Sequence, residues 1–155
     1  MKYKEYLAER QNAIDKLPMF FAFSDKQLQK ALDERNATVK DIYQLSAIPG
    51  AFYLKKDKQI LVDFFNAPDP LIEKLLNDEE FAYEAISYEL RNHEYCYNTY
   101  QGDWDVITSL LGDTRYVEGF DYTHYLSEMG HPELIPTYKK AVQDYYEWCD
   151  EHDIW

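Results

Sequence analysis

The sequence predicts a mainly α-helical, α+β chain forming a single domain over residues 1–155, with one small β-hairpin near residues 42–56. Three observations predict it. Apolar side chains recur at three- and four-residue intervals through most of the chain, as in helices that bury one face. Only IYQLSAIPGAFYLKK, Ile42 to Lys56, replaces that spacing with two short runs rich in β-branched and aromatic residues around Pro49-Gly50. Finally, 155 residues with 46% hydrophobic side chains and only five glycines and six prolines can bury one core without disulfides. No repeat or linker divides them.

From Lys2 to Leu17, the positions Tyr3, Tyr6, Leu7, Ala13, Ile14 and Leu17 follow helical spacing, and Pro18 ends the helix. The run Met19 to Phe23 is apolar throughout and leads into QLQKALDER, which Ser24 and Gln27 introduce with capping-box spacing. Past the hairpin, Asp57 is placed to cap a helix through LVDFFN, and Asp69-Pro70 to start another at LIEKLL. Asp78 precedes EEFAYEAISYELRNHEY, whose acidic first turn suits the positive end of a helix dipole. Gly102, Gly112, Gly119 and Gly130 are read as breaks, with helices around DVITSLL and from Tyr122 to Met129. The last helix, Glu133 to Glu151, gathers Leu134, Tyr138, Ala141, Val142, Tyr145, Trp148 and Cys149 on one face.

Charge narrows the function. The formal net charge is -13, and it is uneven: the first 60 residues hold 11 basic and 8 acidic side chains, the remainder 5 and 21. A protein gains affinity for nucleic acid by neutralising phosphates with Lys and Arg, so direct nucleic-acid binding is disfavoured. The 15 tyrosines suit an interaction surface. No apolar run approaches the roughly 20 residues that span a bilayer, and MKYKEYLAER carries charges where a signal peptide would be apolar. A cytoplasmic protein with no membrane partner is expected. Cys96 and Cys149 form no CxxC pair and are read as reduced, packed thiols.

Catalytic signatures are missing. His93, His124, His131 and His152 have neither HExxH nor zinc-type spacing, and no GxSxG, GxGxxG or Walker sequence occurs. No metal, cofactor or catalytic residue is therefore expected. One constellation is a candidate pocket: Glu89, Asn92 and His93, where Glu89 and His93 are four apart and so neighbours on a helix. A carboxylate beside an imidazole can act as an acid–base pair in a small enzyme or ligand-binding protein, or can be a satisfied hydrogen-bond network between packed helices.

The other candidate is a charged stripe. After Lys140 come Asp144, Glu147, Asp150, Glu151 and Asp153 with no Lys or Arg. Asp144, Glu147 and Glu151 fall within about one sixth of a helix circumference, opposite the apolar face. Their spacing of about 5–6 Å is on the scale of phosphates along a nucleic acid. Further acids cluster at Asp78, Glu79, Glu80 and Glu84, and at Asp103 and Asp105. Such a stripe is either a solvated face or a phosphate mimic that occupies the positive groove of a basic, nucleic-acid-binding protein.

Two stretches, EYLAERQNAIDKLPMFFAFSDKQL (Glu5–Leu28) and YELRNHEYCY (Tyr88–Tyr97), resemble small acidic proteins of phages and mobile elements similar to type II-A anti-CRISPR proteins, inhibitors of Cas9. The matching residues are Phe20, Phe21, Phe23, Tyr88, Asn92, His93 and Glu94. The resemblance implies a non-enzymatic protein in the cytoplasm of a bacterial host cell that binds a defence nuclease.

Overall fold

The computed structural model describes residues 1–154; Trp155, the last residue of the expected domain, lies outside them. The chain is mainly helical with one small antiparallel sheet. It divides into two compact units, Leu7–Pro68 and a larger one that joins Met1–Tyr6 to the chain from Asp69 onward. The crossing points are the end of the first turn of a helix, α1 (Tyr3–Asp15), and the Pro68-Asp69-Pro70 segment.

In the Leu7–Pro68 unit, β2 (Ile42–Gln44) and β3 (Ala51–Leu54) make the expected hairpin, with Ile42 opposite Leu54 and Tyr43 opposite Tyr53. A third strand joins them. The run Met19–Phe21, β1, pairs antiparallel with the other edge of β3, Phe20 opposite Phe52, so the strand order is β1-β3-β2. Three consecutive apolar residues carry no alternation by which a strand could be read from sequence. Register puts Phe20, Phe52, Leu54 and Ile42 on one face, and α2 (Asp25–Glu34) lays Leu28, Ala31 and Leu32 against it. Ser24 caps α2 by accepting from Gln27 N at 3.2 Å, and the Gln27 amide oxygen accepts from Phe23 N at 2.8 Å. α3 (Lys58–Asn66) forms as expected, but the Asp57 side chain does not cap it: Asp57 closes a 3-10 turn, Lys55–Asp57, that already leads into the helix.

In the larger unit, Asp78 caps α5 (Glu79–Asn92) as expected, accepting from Phe81 N. At α4 (Leu71–Asn77) the start shifts by one residue: Pro70, expected as the first helical residue, is the N-cap, and Asp69 before it accepts from Leu71 N. Asn98 caps α6 (Thr99–Leu111) and Asp121 caps α7 (Tyr122–Glu128). α5 packs against α4, α6 and the last helix, α8 (Ile135–Glu151), burying Phe81, Ala85, Ile86 and Leu90. On α8, Tyr138, Ala141, Tyr145 and Cys149 are buried as the spacing requires, while Val142 and Trp148 stand half-buried at the edges. Cys149 is a buried free thiol and Cys96 a half-buried one.

Gly102 is not a break. It lies within α6, fully helical, where an added Cβ would sit 2.6 Å from the buried Tyr95 ring. Close approach, rather than a turn, requires glycine here. Alanine normally gains about 1 kcal/mol over glycine inside a helix. We expect Gly102→Ala instead to destabilise, by about 1–3 kcal/mol, because overpacking against a ring with no room to move outweighs the backbone gain. A lower urea midpoint tests this, and a higher one would show that Tyr95 yields.

Candidate functional site

Glu89 lies on the inner face of α5, 6% exposed, and two donors converge on it beside the His93 ring. Tyr3 Oη donates to it at 2.8 Å, Asn92 Nδ2 at 3.2 Å, and His93 Nε2 lies 3.3 Å away. The His93 Nε2 is also 2.9 Å from Ser109 Oγ. Since Ser109 donates its one hydroxyl proton to the Asp105 carbonyl at 2.8 Å, the imidazole is assigned as the donor, with its proton on Nε2. The constellation is a satisfied network joining α1, α5 and α6. Burial and this bond to Glu89 push the Tyr3 phenol well above its ordinary range.

The expected pocket around Glu89, Asn92 and His93 is displaced from those residues. A groove of about 670 Å³ runs between the first turn of α1, α5 and α8, and only Asn92 of the three lines it. On its rim, Lys2 Nζ lies 2.6 Å from both Glu80 and Glu84; hydrogen bonds to these carboxylates push the Lys2 ammonium up and hold Glu84 low. On the opposite wall, Asp144 accepts from Lys140 Nζ at 2.5 Å and from Tyr83 Oη at 2.6 Å, which lower its carboxyl in that order.

This alters the expected stripe on α8. Asp144 is a partly buried, ion-paired member of the groove wall and not an uncommitted surface charge. Glu147 and Glu151 are exposed and make no salt bridge among the described residues, Glu147 accepting only a long contact of 3.4 Å from Gln143. Asp150 is exposed on the last turn. Asp153 is exposed but off the helix, beyond the His152 cap and with φ +50°. The acids thus cluster at the end of α8 and do not form one straight row. Nor does Asp103 belong to an acidic surface with Asp105. It is 2% exposed, accepting from Tyr138 Oη at 3.0 Å and Tyr122 N at 3.1 Å. Burial, opposed by the hydrogen bonds of Tyr95, Tyr138 and Tyr122 and reinforced by the Asp121 charge, pushes its carboxyl up to about 6. Burial also drives the Tyr138 phenol well above its usual range. A single acid among aromatics in α6 has no sequence signature that separates it from a solvated one.

Two outcomes follow. Tyr3→Phe removes the shortest donor to a buried carboxylate and should cost about 1.5–3 kcal/mol, read as a urea midpoint, with part recovered in the Tyr3→Phe/Glu89→Gln pair. For Asp103, the folded value of about 6 lies above the ordinary 3.8, so between them the folded chain keeps a proton that the unfolded chain has released. That contribution is present in full below about pH 4 and is lost as pH rises through 6. Asp103→Asn should therefore gain on the wild type by about 1–3 kcal/mol between pH 4 and 6.5. Parallel stability–pH curves for the two proteins would refute it.

Among the described residues, no group of three or more His, Cys, Asp or Glu is placed to hold a metal ion, and no helix is long and apolar enough to cross a membrane. No curated protein and no solved structure is significantly similar to the chain. A family model does match, over residues 2–118, from the first turn of α1 to the segment before α7. The match takes in α5, with Glu84, Ser87 and Arg91 of the groove, and ends before α8. The chain belongs to this family, DUF7659, a family of unknown function.

Proposed function

We propose that this protein works by binding rather than by catalysis, presenting the acidic end of α8 to a basic protein partner in the cytoplasm of a bacterial cell. The observation that carries the reading is the contrast between two sets of acids. Glu84, Glu89, Asp103 and Asp144 are each matched by donors within the fold. Glu147, Glu151 and Asp153 are exposed, and no Lys or Arg follows Lys140 to offset them. A groove lined with Lys and Arg, built to hold nucleic acid, is the complementary surface. The resemblance of Glu5–Leu28 and Tyr88–Tyr97 to Cas9 inhibitors makes a CRISPR nuclease the first partner to test. The protein would then inhibit a nucleic-acid-dependent defence enzyme, with the carboxylates standing in for phosphates. The competing reading, an enzyme or ligand-binding protein built on Glu89, Asn92 and His93, has their mutual satisfaction against it.

Glu147→Lys/Glu151→Lys/Asp153→Lys leaves the paired acids untouched, so helical circular dichroism and the thermal midpoint should hold within about 2 °C, as surface changes normally do. Binding to purified Cas9 orthologues and inhibition of their cleavage should be lost. Wild-type affinity should also fall steeply between 50 and 300 mM salt, as for contacts between exposed charges. Full binding by the triple variant would place the interface elsewhere, and failure of the wild type to bind any orthologue would remove the CRISPR target.

A further inference from the structure

The groove between α1, α5 and α8 stands apart from the acidic end of α8 in its charge. The larger unit has only seven basic side chains against 21 acidic ones, yet four of the seven, Lys2, Lys4, Arg91 and Lys140, stand on or beside this groove. Two of them are committed: Lys2 neutralises Glu84, and Lys140 neutralises Asp144, the two acids that line it. Lys4 and Arg91 have no carboxylate within 4 Å among the described residues. The Arg91 guanidinium carbon lies 4.8 Å from the Trp148 ring centroid. The ring contact steadies the fork, whose N–H groups suit a carboxylate or phosphate.

The walls are aromatic. Tyr3, Tyr83, Tyr88 and Tyr145 line the groove; Tyr3 spends its hydroxyl proton on Glu89 and Tyr83 on Asp144, while Tyr145 Oη accepts from Cys96 N at 3.3 Å. Ser87, on the groove-facing side of α5, is close to the Tyr83 phenol, which gives its own proton to Asp144. A volume of about 670 Å³ is that of a small-molecule site.

We propose that this groove binds a small aromatic anion, with its carboxylate or phosphate on Arg91 and Lys4 and its ring against the tyrosines. Carboxylate and phosphate share the chemistry that Arg91 recognises, and the test separates them. The full chain is titrated calorimetrically with 1-naphthoate, 1-naphthyl phosphate and, as the uncharged control, 1-naphthol. At least one anion should bind saturably at one site per chain, at least tenfold more tightly than 1-naphthol. The tighter of the two identifies the head group. Arg91→Gln should weaken that anion at least tenfold and leave 1-naphthol unchanged. Lys139→Gln, a cation on α8 outside the groove, should have no effect. Arg91→Lys, which keeps the charge but not the fork, should fall between wild type and Arg91→Gln. No saturable binding of either anion, equal binding of 1-naphthol, or full affinity in Arg91→Gln would overturn the proposal.

Discussion

The larger unit has three times as many carboxylates as cations, and its packing depends on tyrosine hydroxyls supplying the donors that Lys and Arg cannot. Tyr3 donates to Glu89, Tyr6 to Asp69, Tyr83 to Asp144 and Tyr138 to Asp103. Each bond joins residues at least 35 positions apart, so together they tie the start of α1 to α5, α5 to α8, and α8 to α6. A phenol suits this purpose because it brings a large apolar body and one donor at its tip. A buried carboxylate costs less when such donors meet it, though for Asp103 burial still dominates.

The richness in tyrosine and acid, read from composition as an interaction surface, is therefore in part internal bonding. That changes which acids remain for a partner. Asp144 is drawn into the fold by Lys140 and Tyr83, and the exposed charge is left to Glu147, Glu151 and Asp153. The same economy shapes the groove. Tyr3, Tyr83, Tyr88 and Tyr145 line the wall, the Tyr3 and Tyr83 phenols giving their protons to Glu89 and Asp144, and because Lys2 and Lys140 neutralise its acids, its remaining charges are Arg91 and Lys4. The two surfaces differ in sign and in the chemistry that each can hold. The first is local to one helix end, whereas the second exists only where three helices meet.

Charge also maps onto the division of the chain. The Leu7–Pro68 unit carries nine basic and eight acidic side chains, so nearly all of the net charge of -13 belongs to the other unit. The change near residue 60 in the sequence is close to the crossing at Pro68-Asp69-Pro70. The other crossing has no such mark. It falls between Tyr6 and Leu7, within a continuous helix whose spacing is regular on both sides.

Sequence alone determined the features that depend on neighbours in the chain. Helical spacing located α1, α2, α5 and α8. Capping residues set the starts of α2 and α5 at Ser24 and Asp78, and the change of period around Pro49-Gly50 placed the hairpin. All of these are local, decided by backbone geometry within about four residues. Tertiary structure decided what residues distant in sequence do to one another. Phe20 became a strand because β3 offered an unpaired edge, and Gly102 stayed helical because Tyr95 presses on it. The helical wheel brought Glu89, Asn92 and His93 together, but only Tyr3 and Ser109, from other elements, closed them into a network. The groove was invisible for the same reason. Arg91, Ser87 and Lys4 have no pattern in sequence, and their shared site comes from the packing of α1, α5 and α8, which places side chains more than 80 residues apart around one space.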